Sequence, residues 1–327
     1  MTRAVLRVLV GLLLLVACVA LLVAGTGDLD ALLAAMASVE PALLVPAFGA
    51  FLAATLVRAA RFRYLLPEAA PYGAFVRITI AYQGLRSLLP AQLGELSYPL
   101  LIRWQTGHGR AEGLSDLILV RMVDVALLAV VFAGAAAIGM PHADREIAIV
   151  LGIAIIVTSV GGLRFAPRLL RGLRRVLVLA RRHRAWPLRR PAQLIRALEV
   201  AWRRHGTGPV LGMIGLSICL VLAAWGRIHF QVMALGVAMS GVQTAFVLAA
   251  NNLLALIPLR AFGGIGIRQA GLLGVFLGFG LGVEQAGALV VLFSATAIAF
   301  PLALVPLSWG LFVRASSAAR EPAAEGR

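Results

Sequence analysis

The sequence predicts an all-α polytopic membrane protein of about six to eight transmembrane helices, with two Pro/Gly-broken segments forming an inverted repeat. Three observations carry that prediction. The 327-residue chain is 61% hydrophobic with a mean hydropathy of +0.94, and several of its apolar runs exceed 17 residues. Roughly 20 apolar residues cross the ~30 Å hydrocarbon core of a bilayer. These runs are continuous, without the alternation that membrane barrel strands show. Finally, two runs break in the same way. Ala81 to Pro90 leads into Gly94-Glu95, and Ala249 to Pro258 leads into Gly263-Gly264-Ile265-Gly266-Ile267-Arg268. Each is too short to finish a crossing and is closed by proline, a glycine kink and charge.

Candidate crossings run over 5–25, 41–57, 114–139, 147–163, 208–237 and 286–313, with the broken segments at about 74–102 and 241–282 between them. Leu15-Val16-Ala17-Cys18 resembles a lipoprotein cleavage box, but Val19 to Gly25 continues the apolar run, so a first transmembrane helix is expected there. Cys18 and Cys219 lie inside apolar runs and form no disulfide framework.

Positive charge collects on cytoplasmic loops. Arg3 and Arg7 put the N-terminus inside, and Arg58, Arg61 and Arg63 follow the second crossing, again inside. Asp28, Asp30, Glu40, Asp144 and Glu146 then fall outside. With Arg103 and Arg110 also inside, the first broken segment enters and leaves by one face; the second does so from outside. The result is one membrane domain, 1–313, with halves of opposite orientation at about 1–163 and 208–313. Eight full crossings with shorter helices fit the hydropathy as well. The chain is expected in a bacterial inner membrane with both termini cytoplasmic.

All 30 basic residues are Arg, for which a GC-rich bacterial genome is a sufficient partial explanation, and the net charge is +16. Thirteen Arg lie between Arg164 and Arg204, so the charge reads as topology and not as a nucleic-acid partner. This 164–207 segment is expected to be a basic cytoplasmic loop. Leu169, Leu170, Leu173, Val176, Leu177 and Ala180 recur at helical spacing among arginines, a pattern suited to inner-leaflet headgroups. The tail 314–327 is small and polar and is expected to be disordered.

Ionisable residues within apolar segments are costly and mark function. Arg77, Arg86, Arg121, Arg227, Arg260 and Arg268 stand against only Glu95 and Asp124. Six cations against two anions leave a surplus that an anionic ligand would relieve, and the planar guanidinium fork suits phosphate. Arg77 and Arg227 could instead snorkel to headgroups. Asp124, three residues after Arg121, is expected to pair with it on one helix face, either as an internal ion pair or to orient Arg121 on a ligand. Glu95 after Gly94 could cap backbone, hold a cation or carry a proton. Gly263, Gly264 and Gly266 permit close backbone approach to a phosphate. His229 is expected to be a packing residue; His108, His142, His183 and His205 show no metal-ligand spacing.

Arg58-Ala59-Ala60-Arg61-Phe62, the Pro90…Gly94-Glu95 kink, Arg121-Met122-Val123-Asp124 and Pro258…Gly263-Gly264-Ile265-Gly266-Ile267-Arg268 occur in an order that resembles the flippase-like membrane domain of lysylphosphatidylglycerol synthases and its stand-alone relatives, over about 5–313. Three frequent charged positions of that family are neutral here: Tyr98, Val120 and Gln269. The resemblance implies lipid translocation without the soluble aminoacyl-transferase domain, hence no enzyme activity.

The combined expectation is a translocase for an anionic phospholipid or polyprenyl-phosphate-linked lipid, with no cofactor and no metal. Arg121 and Arg268 would hold phosphate, Arg86 would assist, Asp124 would orient Arg121, and Glu95 would tune the cavity. No nucleotide motif is present, so the step would be passive or driven by an ion gradient. The alternatives are a non-transporting envelope-lipid assembly factor, a small-solute transporter and an intramembrane headgroup enzyme, for which no nucleophile–base pair is visible.

Overall fold

The computed structural model describes residues 36–66, 70–88, 94–95, 97–107, 109–139, 142–181, 208–256 and 267–318, with the single residues 34 and 195. Among these the chain is helical throughout: α1 Pro41–Leu65, α2 Tyr72–Leu88, α3 Ser97–Thr106, α4 Arg110–Gly139, α5 His142–Arg181, α6 Gly208–Ala234, α7 Gly241–Leu254, α8 Ile267–Gly278 and α9 Val283–Ala318. Five of them are long and apolar enough to cross a bilayer: Pro41–Leu65, Glu112–Gly139, Arg145–Gly162, Leu211–Ala234 and Val283–Ser308. They answer five of the six expected crossings; the sixth, 5–25, lies outside the described residues.

Both interrupted runs are pairs of short helices. At 1.5 Å per residue, α2 and α3 measure about 26 and 15 Å, and α7 and α8 about 21 and 18 Å, all short of ~30 Å. The partners of each pair pack together. Pro90, Pro258, Gly263, Gly264, Gly266 and Arg260 lie outside the described residues, so the expected kinks are represented by Gly94 alone. A Cβ on Gly94 would stand 2.5 Å from the Arg86 Cα, backbone against backbone, so only glycine lets the break fold back on α2.

Three expected boundaries are corrected. The second crossing does not end at 57: α1 continues to Leu65, so Arg58, Arg61 and Arg63 are helical rather than in a following loop. Arg is a good helix former, and neighbouring helices supply its polar partners. The basic segment is no loop over its first part, since α5 runs unbroken from the membrane through residues 164–181. Its apolar residues at helical spacing continue the same periodicity. Likewise α9 extends to Ala318, so residues 315–318 of the tail are helical.

α1 and α6 pack against each other in opposite directions. Glu40 N–H donates to Ala234 O (2.7 Å), Gly226 faces Ala50, and Gly212 faces the Tyr64 ring. Three further kinds of contact match when α1–α4 are exchanged for α6–α9. α1 packs on α2 as α6 does on α7, α3 on α4 as α8 on α9, and α4 touches α7 as α9 touches α2. Gly107 (φ 72°) opens the turn into α4, and Gly280 (φ 81°) opens the turn into α9, left-handed positions that glycine adopts without strain. Each set also has a buried polar tie between its first and last helix: Arg61 with Asp124, and Gln231 with Thr296 (2.6 Å).

Candidate anion-binding site

The first half of α4 carries polar residues amid an apolar run, and the helices around it are arranged to meet them. A cavity of about 330 Å³ opens there. Part of its lining is polar, made by Arg58, Tyr82, Arg86, Glu95, Arg121 and Asp124. Most of the rest is apolar and includes Leu128, Leu220, Val221, Ala224, Leu248 and Leu256. A volume lined in this way matches an amphiphile with a compact charged end.

Glu95 is the hub of the polar lining. Arg86 Nε lies 3.0 Å from its Oε1, Arg121 Nη2 meets the same oxygen, and the Tyr82 hydroxyl donates to Oε2. Arg121 Nη2 also donates to the Tyr82 hydroxyl oxygen at 3.3 Å, closing the network. The side chains of Arg86 and Arg121 remain 35% and 34% exposed, so both guanidiniums are reachable from the cavity. Arg58, on α1, donates to Gln83 Oε1 at 2.7 Å, and Gln83 donates in turn to Thr55 Oγ1 at 3.1 Å.

Asp124 does not pair with Arg121 as the three-residue spacing suggests. Its Oδ1 is 2.7 Å from Arg61 Nη2, and Arg61 is wholly buried behind the cavity wall. Arg121 is drawn the other way by Glu95, a nearer carboxylate brought in by the α2–α3 break. The Arg61 N–H groups point away from the line to Asp124, one of them reaching Val120 O at 3.3 Å, so the contact is ionic rather than a well-aligned hydrogen bond. Arg61 Nε and Nη1 have no hydrogen-bond partner.

The structure therefore brings Arg86, Glu95, Arg121 and Asp124 to one cavity, and adds Arg58 and Tyr82. Arg268 is not on its wall. It begins α8, and its Nε donates to Asn251 Oδ1 at 2.9 Å, while the adjacent Asn252 reaches the cavity. Tyr82, Gln83, Asn251 and Asn252 were visible as polar residues inside apolar runs, the one signal that could have singled them out. His229 is a packing residue, stacked on Trp225 with ring centroids 5.2 Å apart and 3.4 Å from Thr244 Oγ1. Among the described residues no three His, Cys, Asp or Glu side chains come together for a metal.

A family model, the lysylphosphatidylglycerol synthase TM region, matches residues 8–304. The chain belongs to this family. Comparison with curated proteins and with solved structures gave no match. Family membership and five membrane-length helices make it a multi-pass membrane protein of a lipid-synthase family.

Two neutral replacements within the family pattern now have a structural account. Tyr98 is fully buried between Phe62, stacked at 4.0 Å, and Tyr82, edge-on at 5.9 Å. An aromatic column thus fills the space that an arginine would occupy, and it braces Tyr82 against Glu95. Val120 is buried in the same apolar cluster, where a carboxylate side chain would be costly. Gln269 is buried at the start of α8; nothing in the structure explains its identity.

Proposed function

We propose that this protein moves an anionic lipid between the leaflets of a bacterial inner membrane. The observation that carries the proposal is the mixed lining of the cavity: three arginines share it with side chains that are otherwise mostly apolar. A cationic wall in low dielectric favours an anion strongly, and guanidiniums can grip a phosphate through paired N–H donors. The apolar lining gives the proximal acyl or prenyl chain a surface it can share with lipid.

The antiparallel α1–α6 pair and the matched helix contacts support an inverted repeat, the architecture on which alternating access is commonly built. Packing within each short-helix pair supports re-entrant segments. Arg86, Arg121 and Arg58 would hold the phosphate, and Glu95, fixed to the break, would couple occupancy to the first re-entrant segment. Asp124 would act by anchoring Arg61 rather than by steering Arg121. Arg268 would act through Asn251 and Asn252. The basic stretch on α5 would rest on inner-leaflet headgroups.

Native mass spectrometry of the detergent-solubilised protein tests the anion preference. The expected result is retention of phosphatidylglycerol over phosphatidylcholine, lost in Arg121→Ala. Equal retention of both lipids, unchanged in the variant, would remove the basis for an anionic substrate.

A further inference from the structure

We infer that the Glu95 carboxylate holds the place of the ligand's phosphate, and that the ligand's headgroup is a phosphomonoester dianion that exchanges with it. The inference rests on the anion-site reading above and goes further by naming what the site takes and what leaves when it binds.

Three donors from two helices converge on one carboxylate: Arg86 Nε and Tyr82 hydroxyl from α2, and Arg121 Nη2 from α4. Both carboxylate oxygens are engaged, as two oxygens of a bound phosphate would be. Glu95 itself lies outside both helices, its backbone carbonyl accepting from Tyr98 N–H at 3.4 Å. It belongs to the break between α2 and α3, and the carboxylate is 22% exposed to the cavity. An anion arriving from the cavity meets the same donors that Glu95 now uses, and donors shared by two anions cannot satisfy both fully.

Charge decides the class of anion. Asp124 is spent on Arg61, which leaves Arg58, Arg86 and Arg121 on the wall against Glu95 alone. Once Glu95 is displaced, three positive charges face the bound anion. A phosphodiester offsets one of them. A phosphomonoester, with a second pKa of about 6, carries close to two negative charges at neutral pH and offsets more of the wall. A terminal phosphate is also the most compact headgroup that still carries the phosphate.

Exchange also has a structural consequence. Gly94 packs on the Arg86 backbone and Ser97 hydroxyl donates to Gly94 O at 2.6 Å, so the carboxylate, the break and the start of α3 are tied together. Releasing Glu95 loosens the first turn of α3, which is the motion a re-entrant segment needs to pass a headgroup.

The test titrates dioctanoyl phosphatidic acid, dioctanoyl phosphatidylglycerol and inorganic phosphate into the solubilised full chain, with Glu95→Gln and Arg121→Ala alongside. Exchange predicts that Glu95→Gln, which keeps the shape and removes the competing charge, binds phosphatidic acid about tenfold tighter, equivalent to about 1.4 kcal/mol. It also predicts phosphatidic acid over phosphatidylglycerol by a similar factor in wild type, with inorganic phosphate weaker than either lipid. Binding of phosphatidic acid that is unchanged or weakened in Glu95→Gln, yet lost in Arg121→Ala, overturns exchange while leaving the anion site standing. Insensitivity of every anion to Arg121→Ala overturns both. Inorganic phosphate binding as tightly as phosphatidic acid overturns the lipid headgroup as its source. Should Glu95→Gln fold poorly, hydrogen exchange on wild type decides: residues 94–106 lose protection when phosphatidic acid binds if Glu95 is released, whereas gained or unchanged protection overturns the proposal.

Discussion

Arg61 is costly to bury, a guanidinium with no exposed surface and the Asp124 carboxylate beside it. Removing one member of a buried pair strands the other charge, at a cost of about 3–5 kcal/mol. Asp124→Ala should therefore lower the apparent melting temperature in detergent sharply, while Arg61→Met with Asp124→Leu should recover much of the loss. A double variant no better than Asp124→Ala would show that the pair does more than neutralise itself. Gly94→Ala should be comparably severe, since the new Cβ meets backbone that cannot yield; thermal stability and lipid binding would both fall, and wild-type values in both would refute the close approach. At this scale the sequence picked out Arg86, Glu95, Arg121 and Asp124, which meet at one cavity, and not who holds whom. The spacing of Arg121 and Asp124 pointed to an internal pair because neighbours on one helix are all that spacing can see. The partner that captured Arg121, Glu95, arrives from a different segment, and Arg61 reaches Asp124 across 63 positions of chain.

Among the helices, α4 joins the two matched sets: it packs along α5, carries the cavity wall and touches α7 near Gly139 and Phe132. The α4–α5 seam depends on Gly152, where a Cβ would lie 2.7 Å from Ala133 Cβ and 3.2 Å from Ala129 O. Gly152→Leu should push the helices apart and destabilise by about 1–3 kcal/mol, as overpacking does. Thermal unfolding would register this, whereas Gly161→Leu, with open space around its Cβ, should be near neutral; equal effects would contradict the seam. The long crossings and both broken runs were legible because continuous apolar stretches, proline and glycine are local signals. Helix ends were less so. Arginines read as the start of a loop at Arg58 and Arg164, yet both positions continue helices. Charge counting finds where helices leave lipid, and partners inside the protein can keep a charged turn helical beyond that point.

For the whole molecule, the proposed inverted repeat makes a sharp statement about sidedness. In a background with Cys18 and Cys219 replaced, single cysteines at Leu66 and Gly109 should label from the cytoplasm, and those at Ser240 and Gly282 from outside. Eight full crossings would instead split each pair between the two faces. The helical membrane class was legible in the apolar runs and the matched interruptions suggested two halves, but the antiparallel α1–α6 contact on which the proposed repeat rests is long-range and invisible to composition. The central claim is that the cationic cavity carries an anionic lipid between leaflets. Its most direct test is leaflet exchange of fluorescent phosphatidic acid, phosphatidylglycerol and phosphatidylcholine in liposomes holding wild type or Arg121→Ala. The account predicts exchange by wild type that favours the anionic lipids, phosphatidic acid first, and falls at least tenfold in the variant, a loss of about 1.4 kcal/mol in barrier lowering. Exchange of no lipid, or of all three equally and regardless of Arg121, would contradict it.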